Sequence, residues 1–310
     1  MSDPSPTRAG FVPRPMIGIL FMLGSATLFP IMNGFVKLLS ADYPSEQIIW
    51  ARNATHFLFV LALFAPRRGW AIFRTRRPAL QLARSVLLLL STICFFTAVK
   101  YIDLGKAATI QFVAPFIVSL MAWRLLGESL SASRLAAVGL GFVGAVIVIR
   151  PGSSVFQWAD LLPLGSSFFY ACYQVCTRFL ADKDSAETSV VYSAMIGTAA
   201  MALVLPFAWK TPGNLFDFVV MAGLGVIGGL GHYCIARAMQ HAEASVVAPF
   251  NYWQIVGSSL FGLVVFGEFP DAFVWAGAAV IVVAGAFIAW QETRPRAGAH
   301  APAAGPPSRG

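Results

Sequence analysis

The sequence predicts an all-α integral membrane protein: ten transmembrane helices arranged as two inverted five-helix repeats. Three observations predict it. First, 57% of the 310 residues are hydrophobic and only 12% are charged, with a mean hydropathy of +0.71. A soluble domain carries about 25% charged residues, so this chain cannot cover a water-facing surface. Second, the stretch from Ile17 to Trp290 holds ten apolar runs. At about 20 residues per span these leave roughly eight for each connection, too few for a soluble catalytic or nucleic-acid-binding domain. Third, residues recur at a nearly constant offset between the two halves.

The spans follow in order, and because lipid offers no partner for a bare backbone polar group, each is expected to be a helix. Span 1, 17–39, follows Arg8 and Arg14. It is too long for a signal-peptide core, and no small-residue cleavage site follows it. Span 2, 46–65, opens on Glu46 and runs into a basic loop, 66–83. Spans 3 and 4, 82–100 and 106–126, lead to Gly127-Glu128, and span 5, 133–150, closes the first half. Span 6, 159–180, begins the second half, followed by spans 7 and 8 at 188–208 and 217–239. Span 9, 244–266, contains Pro249 and ends at Gly267-Glu268, and span 10, 272–290, is glycine-rich. The expected organisation is a tail at 1–16, repeats at 17–152 and 153–290, and a disordered Pro- and Ala-rich tail at 291–310.

The net charge of +8 invites a nucleic-acid reading, but the cations cluster at span ends and in one loop. That is how basic residues set membrane orientation. Arg67, Arg68, Arg74, Arg76, Arg77 and Arg84 share one side with Arg8, Arg14, Arg134, Lys183, Arg294 and Arg296. The other side holds chiefly Lys100, Lys106, Arg150 and Lys210. Both termini are therefore expected in the cytoplasm, in a bacterial-type inner (plasma) membrane. Cys94, Cys172, Cys176 and Cys234 all fall in apolar runs without zinc spacing and read as small core residues.

Gly24-Ser25 is repeated as Gly165-Ser166, and the same offset of 141 pairs Asn33 with Gln174, Lys37 with Arg178 and Glu46 with Glu187. Gly127-Glu128 and Gly267-Glu268 are 140 apart. Five spans per half is an odd number, so the second half enters from the opposite side. This is the plan of secondary transporters with a midplane site. Five-span halves ending in Gly-Glu and a glycine-rich last helix resemble the drug/metabolite transporter superfamily, specifically its EamA-type ten-helix members. Ala248 to Gln254 and Phe266 to Asp271 resemble the fourth-helix block of second repeats, with Gln111 to Pro115 and Gly127-Glu128 as the first-repeat counterpart. The resemblance implies movement of small metabolites, often amino acids or their relatives. Pro115 precedes Glu128 by 13 residues and Pro249 precedes Glu268 by 19, so the kinks are expected at different places in the two halves.

Gly139 to Gly144 and Gly223 to Gly228 fit G-x-G-x-x-G, but each lies inside an apolar span with no strand before it. The glycines read as helix-packing positions. No phosphate loop, metal motif or nucleophile–base set is present, so no enzyme, cofactor or metal is expected. Polar groups at lipid depth face a bundle interior or wet cavity, which nominates a substrate site. Its members are Asn33, Arg52, His56, Gln111, Tyr170, Tyr173, Gln174, His232, Asn251, Gln254 and Ser258. Each has a plainer reading as a packing or interhelical hydrogen-bonding residue. Lys37 with Glu46 and Arg178 with Glu187 are expected as ion pairs gating opposite faces, although Lys37 and Arg178 lie near span ends where long cations snorkel.

No Asp or Glu stands at the centre of any span, which favours facilitated transport or exchange over proton coupling. The expectation is alternating-access transport of amino acids or similar small metabolites, with efflux as its direction. The alternatives are uptake of a vitamin- or nucleoside-like metabolite (riboflavin, S-adenosylmethionine), or a structural or lipid-handling protein. Expected partners are the small-molecule substrate and membrane lipid, with a homodimer allowed and no nucleic acid.

Overall fold

A computed structural model describes residues 15–126, 131–180, 183–241 and 247–293. Gly127-Glu128, Glu243, the side chain of Arg178 and most of both tails lie outside the described residues. Eleven α-helices are described: α1 (Pro15–Leu39), α2 (Ser45–Arg68), α3 (Pro78–Tyr101), α4 (Leu104–Gln111), α5 (Ala114–Leu126), α6 (Ala132–Ile149), α7 (Leu161–Leu180), α8 (Ala186–Ala208), α9 (Leu215–His241), α10 (Trp253–Phe261) and α11 (Ala272–Thr293). Short 3-10 turns lie at Gly69–Phe73, Trp158–Asp160 and Ala248–Tyr252, and a π-turn at Gly262–Phe266 extends α10. No strand occurs among the described residues.

Among the described residues seven helical stretches are long and apolar enough to cross a membrane on that ground alone, one of them (104–125) comprising α4 and α5, and 135–149 and 250–266 are shorter apolar helices. α7 joins them as the repeat mate of α1. Large apolar side chains point away from the bundle, with Phe207 91% and Leu203 77% exposed. Lipid is the solvent such a surface requires.

The two halves are related by a pseudo-two-fold visible in the packing. α1 lies on α9, and their mates α7 and α3 lie together. The α2–α9 contact is answered by α8–α3, and α1–α10 by α7–α5. The α2–α8 and α6–α11 contacts each join a helix to its own mate. Individual residues obey the same exchange. A Cβ on Gly165 would lie 3.8 Å from Cys94 Sγ, and one on Gly24 would lie 3.7 Å from Cys234 Sγ. Gly144 and Gly277 let α6 and α11 cross closely, since a Cβ on Gly277 would lie 2.6 Å from the Gly144 carbonyl oxygen. The exchange also explains an orphan. Ser166 Oγ lies 2.9 Å from the Ser91 hydroxyl, whereas the mate of Ser91 is Gly231, which has no hydroxyl to offer, and buried Ser25 Oγ has no partner.

The break positions correct the sequence expectation. The fourth span breaks between α4 and α5 at Phe112–Val113, and the ninth changes from 3-10 to α-helix at Tyr252–Trp253. Phe112 and Tyr252 are symmetry mates, and their rings meet 5.0 Å apart. The breaks therefore correspond although the prolines do not. Pro115 lacks the N–H that would bond the Gln111 carbonyl, and Ser167 Oγ donates to that carbonyl at 3.1 Å instead.

Candidate functional site

α2, α3, α7, α8 and α9 converge on a polar cavity lined by Arg52, Asn53, His56, Arg84, Tyr173, Ser193 and His232, with Leu88, Val190 and Ala194 as its apolar wall. Its volume is about 30 Å³, room for one or two waters, so a metabolite enters only after the bundle opens. Close approach of α9 to α2 builds this site. A Cβ on Gly225 would lie 2.2 Å from the His56 backbone nitrogen, and Gly225 N–H donates to Thr55 Oγ1 at 3.1 Å. That approach stacks His232 on His56, with centroids 5.9 Å apart and planes at 5°. Phe29 meets His232 edge-on at 5.1 Å.

The two arginines differ in how they are held. Arg84 donates through Nε to Thr177 Oγ1 at 2.7 Å, and through Nη2 to Tyr173 OH at 2.8 Å. Its Nη1 donates to the Ser189 carbonyl and Ser193 Oγ, both at 2.8 Å, and the guanidinium lies 4.5 Å from the Tyr173 ring centroid. Arg52, equally buried, has one contact at the outer limit of a hydrogen bond, Nη1 to Thr92 Oγ1 at 3.5 Å. Its Nε has no partner, and Phe96 offers a ring centroid at 5.5 Å. His56 Nε2 is also buried without a partner. No carboxylate is among the described residues lining the cavity.

Of the residues nominated from sequence, Arg52, His56, Tyr173 and His232 line this cavity, and Tyr170 stacks on Tyr173 with centroids 5.5 Å apart. The others lie elsewhere. Gln254 donates to Asn251, one turn back, and Ser258 is buried on α10. Gln111 Oε1 is buried without a partner beside the break after α4. Asn33 and Gln174 are half-buried mates on α1 and α7. Among the described residues no cluster of His, Cys, Asp or Glu could hold a metal.

Arg84, Asn53 and Ser193 also line the cavity, beyond the residues that polarity at lipid depth picks out. Arg84 counts as a loop cation if span 3 starts at 82, but α3 begins at Pro78 and carries it six residues into the helix. Pro78 at the first helical position was the available signal. Ser193 is the mate of Arg52 at the offset of 141, so the repeat could have found it.

The charged pairs at the bundle ends also depart from expectation. Lys37 joins Glu268 instead of Glu46, with Nζ 2.6 Å and 2.7 Å from the two carboxylate oxygens and a further bond to the Ile102 carbonyl at 2.8 Å. Glu46 is exposed in the first turn of α2, while the Gly-Glu motif brings Glu268 back under the end of α10. Gly267 adopts φ +70° there, which glycine tolerates, and Glu268 N–H donates to the Gly262 carbonyl at 3.0 Å. Two more pairs tie the same end: Lys106 with Asp160 at 2.7 Å, both buried, and Arg150 with Asp271. At the other end Glu187 joins Arg68 at 3.1 Å.

The sequence profile of the EamA-like transporter family matches this chain twice, over residues 16–150 and 157–290. The riboflavin transporter of Vibrio cholerae is 29% identical over 91% of this chain and 95% of its own length. The pseudopaline exporter of Pseudomonas aeruginosa is 30% identical over 86% of this chain and 94% of its own. A solved crystal structure shares the fold with a TM-score of 0.64 at 19% identity, covering 90% of this chain and 97% of that one. With a doubled profile match, all-helical inverted halves and a polar cavity where they meet, the chain belongs to the EamA-like transporters of the drug/metabolite superfamily.

Proposed function

We propose that this membrane transporter moves amino acids or similar small carboxylate-bearing metabolites across the bacterial inner membrane by alternating access, with efflux as its direction. One observation carries the reading. Arg52 is a buried guanidinium with an unpartnered Nε, a single long hydrogen bond and no carboxylate beside it. A buried charge is costly unless paired, and a substrate carboxylate supplies the missing counter-charge. Arg84 already has acceptors for four of its five N–H donors and instead shapes the cavity floor. Tyr173, His56 and Ser193 face the rest of the substrate. A cationic substrate such as S-adenosylmethionine is disfavoured beside two guanidinium groups.

On this reading the 40–44 end faces outward and the basic 69–77 end faces the cytoplasm, which the bias of basic residues to that end supports. Both termini then lie in the cytoplasm, and the Lys37–Glu268 pair closes the outer gate. Arg68–Glu187 lies at the inner face, where Arg178 also falls.

A flux panel in proteoliposomes tests the substrate class. Labelled amino acids are compared with their methyl esters and amino alcohols. Saturable flux of the free acids, absent for the esters and abolished by Arg52→Gln, is the expected result. Equal flux of acid and ester overturns it. Riboflavin belongs in the same panel as a second reading. It is favoured by the flat stacked pairs His56–His232 and Tyr170–Tyr173 and by the relative of that name.

A further inference from the structure

A second cavity, of about 370 Å³, lies at the basic end of the bundle between the 69–77 segment and the start of α8. Arg68, Arg74, Arg76 and Lys183 line it, together with Thr75 and Thr188. Its symmetry mate at the opposite end is filled by protein. Tyr43 stands at the position equivalent to Asp184, and Asp217 at the position equivalent to Arg76, both at the offset of 141. Tyr43 OH donates to Asp217 at 2.7 Å and accepts from Gly213 N–H at 2.9 Å. Lys210 Nζ caps the ring at 5.4 Å from its centroid while donating to the Asp42 carbonyl. At the basic end the tyrosine is replaced by a short aspartate, and the space it would fill remains open.

The acidic groups nearby are occupied. Asp184 accepts from Thr75 Oγ1, Arg76 N–H and Gln81 Nε2, and Glu187 is held by Arg68. Arg74, Arg76 and Lys183 have no ion-pair partner among the described residues. Weighing the four cations against Asp184 and Glu187 leaves the pocket at +2. The walls are fixed in advance. Ile72 is 1% exposed in a cluster with Val60 and Val191, and Tyr192 OH donates to the Phe73 carbonyl at 3.0 Å. Ser185 Oγ accepts from Thr188 N–H at 3.2 Å, so the positive end of a 23-residue helix opens on the same cavity. Trp70, 86% exposed and 5.9 Å from the Phe73 ring, marks the headgroup depth at which such aromatics settle.

We propose that this pocket binds the phosphate of an anionic phospholipid from the leaflet at that end. The lipid would bridge the α2–α3 segment of the first repeat and the start of α8 in the second. The pocket takes a phosphodiester where its mate takes a phenol, which gives the two membrane faces unlike seals.

Native mass spectrometry of the purified full chain, titrated with phosphatidylglycerol or phosphatidylcholine of matched acyl chains, tests this. Phosphatidylglycerol should be retained preferentially. Arg74→Gln with Arg76→Gln should weaken its retention by about 5-fold per cation removed and leave phosphatidylcholine unaffected. Lys100→Gln, at the opposite end, should change neither. Arg74→Lys with Arg76→Lys should keep most of the preference, and this comparison decides the matter if the glutamine pair fails to fold. Equal retention of the two lipids overturns the proposal, as does an unchanged preference in the glutamine pair. Displacement of phosphatidylglycerol by millimolar inorganic phosphate overturns the lipid assignment in favour of a soluble anion.

Discussion

Lys37 holds Glu268 across the two repeats, its Nζ within 2.7 Å of both carboxylate oxygens, while the same ammonium bonds the carbonyl at the end of α3. Three chain segments are thereby pinned by one cation that is only 11% exposed. If this pair closes a gate, Lys37→Glu and Glu268→Lys should each raise labelling of a cysteine placed at Asp103, with the four native cysteines replaced. The exchanged double variant should restore protection. At a partly wet site the pair is worth about 0.5–2 kcal/mol, between an exposed and a dry one. That shifts a two-state ratio roughly 2- to 30-fold. Labelling unchanged in both single variants would remove the pair from the gate.

The two cavity arginines should separate by phenotype. Arg84→Ala deletes the donor for Thr177, Tyr173, Ser189 and Ser193, and a buried neutral acceptor left unpaired costs about 1–3 kcal/mol. Its thermal transition should fall sharply. Arg52→Gln removes a charge with one long bond, so the transition should hold or rise while transport drops at least about 10-fold, the cost of roughly one charged hydrogen bond to substrate. Equal destabilisation by the two changes would contradict this division.

Glycine substitutions should read the packing. Gly225→Ala puts a Cβ within 2.5 Å of three atoms, two of them α2 backbone. Overpacking of that kind costs about 1–3 kcal/mol, and it should also reduce transport because the contact carries Arg52 and His56. Gly139→Ala and Gly223→Ala meet nothing within 4 Å and should be neutral or stabilising by about 0.5–1 kcal/mol. Melting curves of the three variants suffice.

Orientation is open to a direct check. Impermeant thiol reagents added to intact cells should reach cysteines placed at Asp42 or Gly213 and miss those at Arg74 or Asp184. Reversed accessibility at all four positions would invert the assignment and leave the repeat unaffected.

Asp184 should give the basic end an acid-sensitive step. Burial raises its carboxyl, but bonds from Arg76 N–H, Thr75 and Gln81 outweigh that and hold it below the usual carboxylate value. The stabilisation from a lowered carboxyl is present above its unfolded value and fades as pH falls through the folded one. Asp184→Asn should lower the melting temperature at neutral pH and flatten its decline in acid. A parallel decline in the two proteins would rule the group out.

Class, span count and repeat were all legible in the amino-acid sequence. Lipid imposes helix and length on any span, and those constraints act on composition and hydropathy, which are local. The offset of 140–141 further implied the pseudo-two-fold, because mates such as Gly24 and Gly165 must meet mates in turn. Which polar side chains share a cavity was decided by the tertiary structure. Asn251, Gln254 and Arg52 all read as polar residues in lipid, yet Gln254 satisfies Asn251 within its own turn and Arg52 is left facing Arg84 and His232. The partner of Lys37 likewise depended on the Gly267 turn that presents Glu268, 231 residues from Lys37 in sequence. Hydrophobic patterning places a residue at a depth in the membrane. Only the rotation and contact of packed helices choose what stands opposite, because that choice is made by side-chain shape between segments remote in the chain.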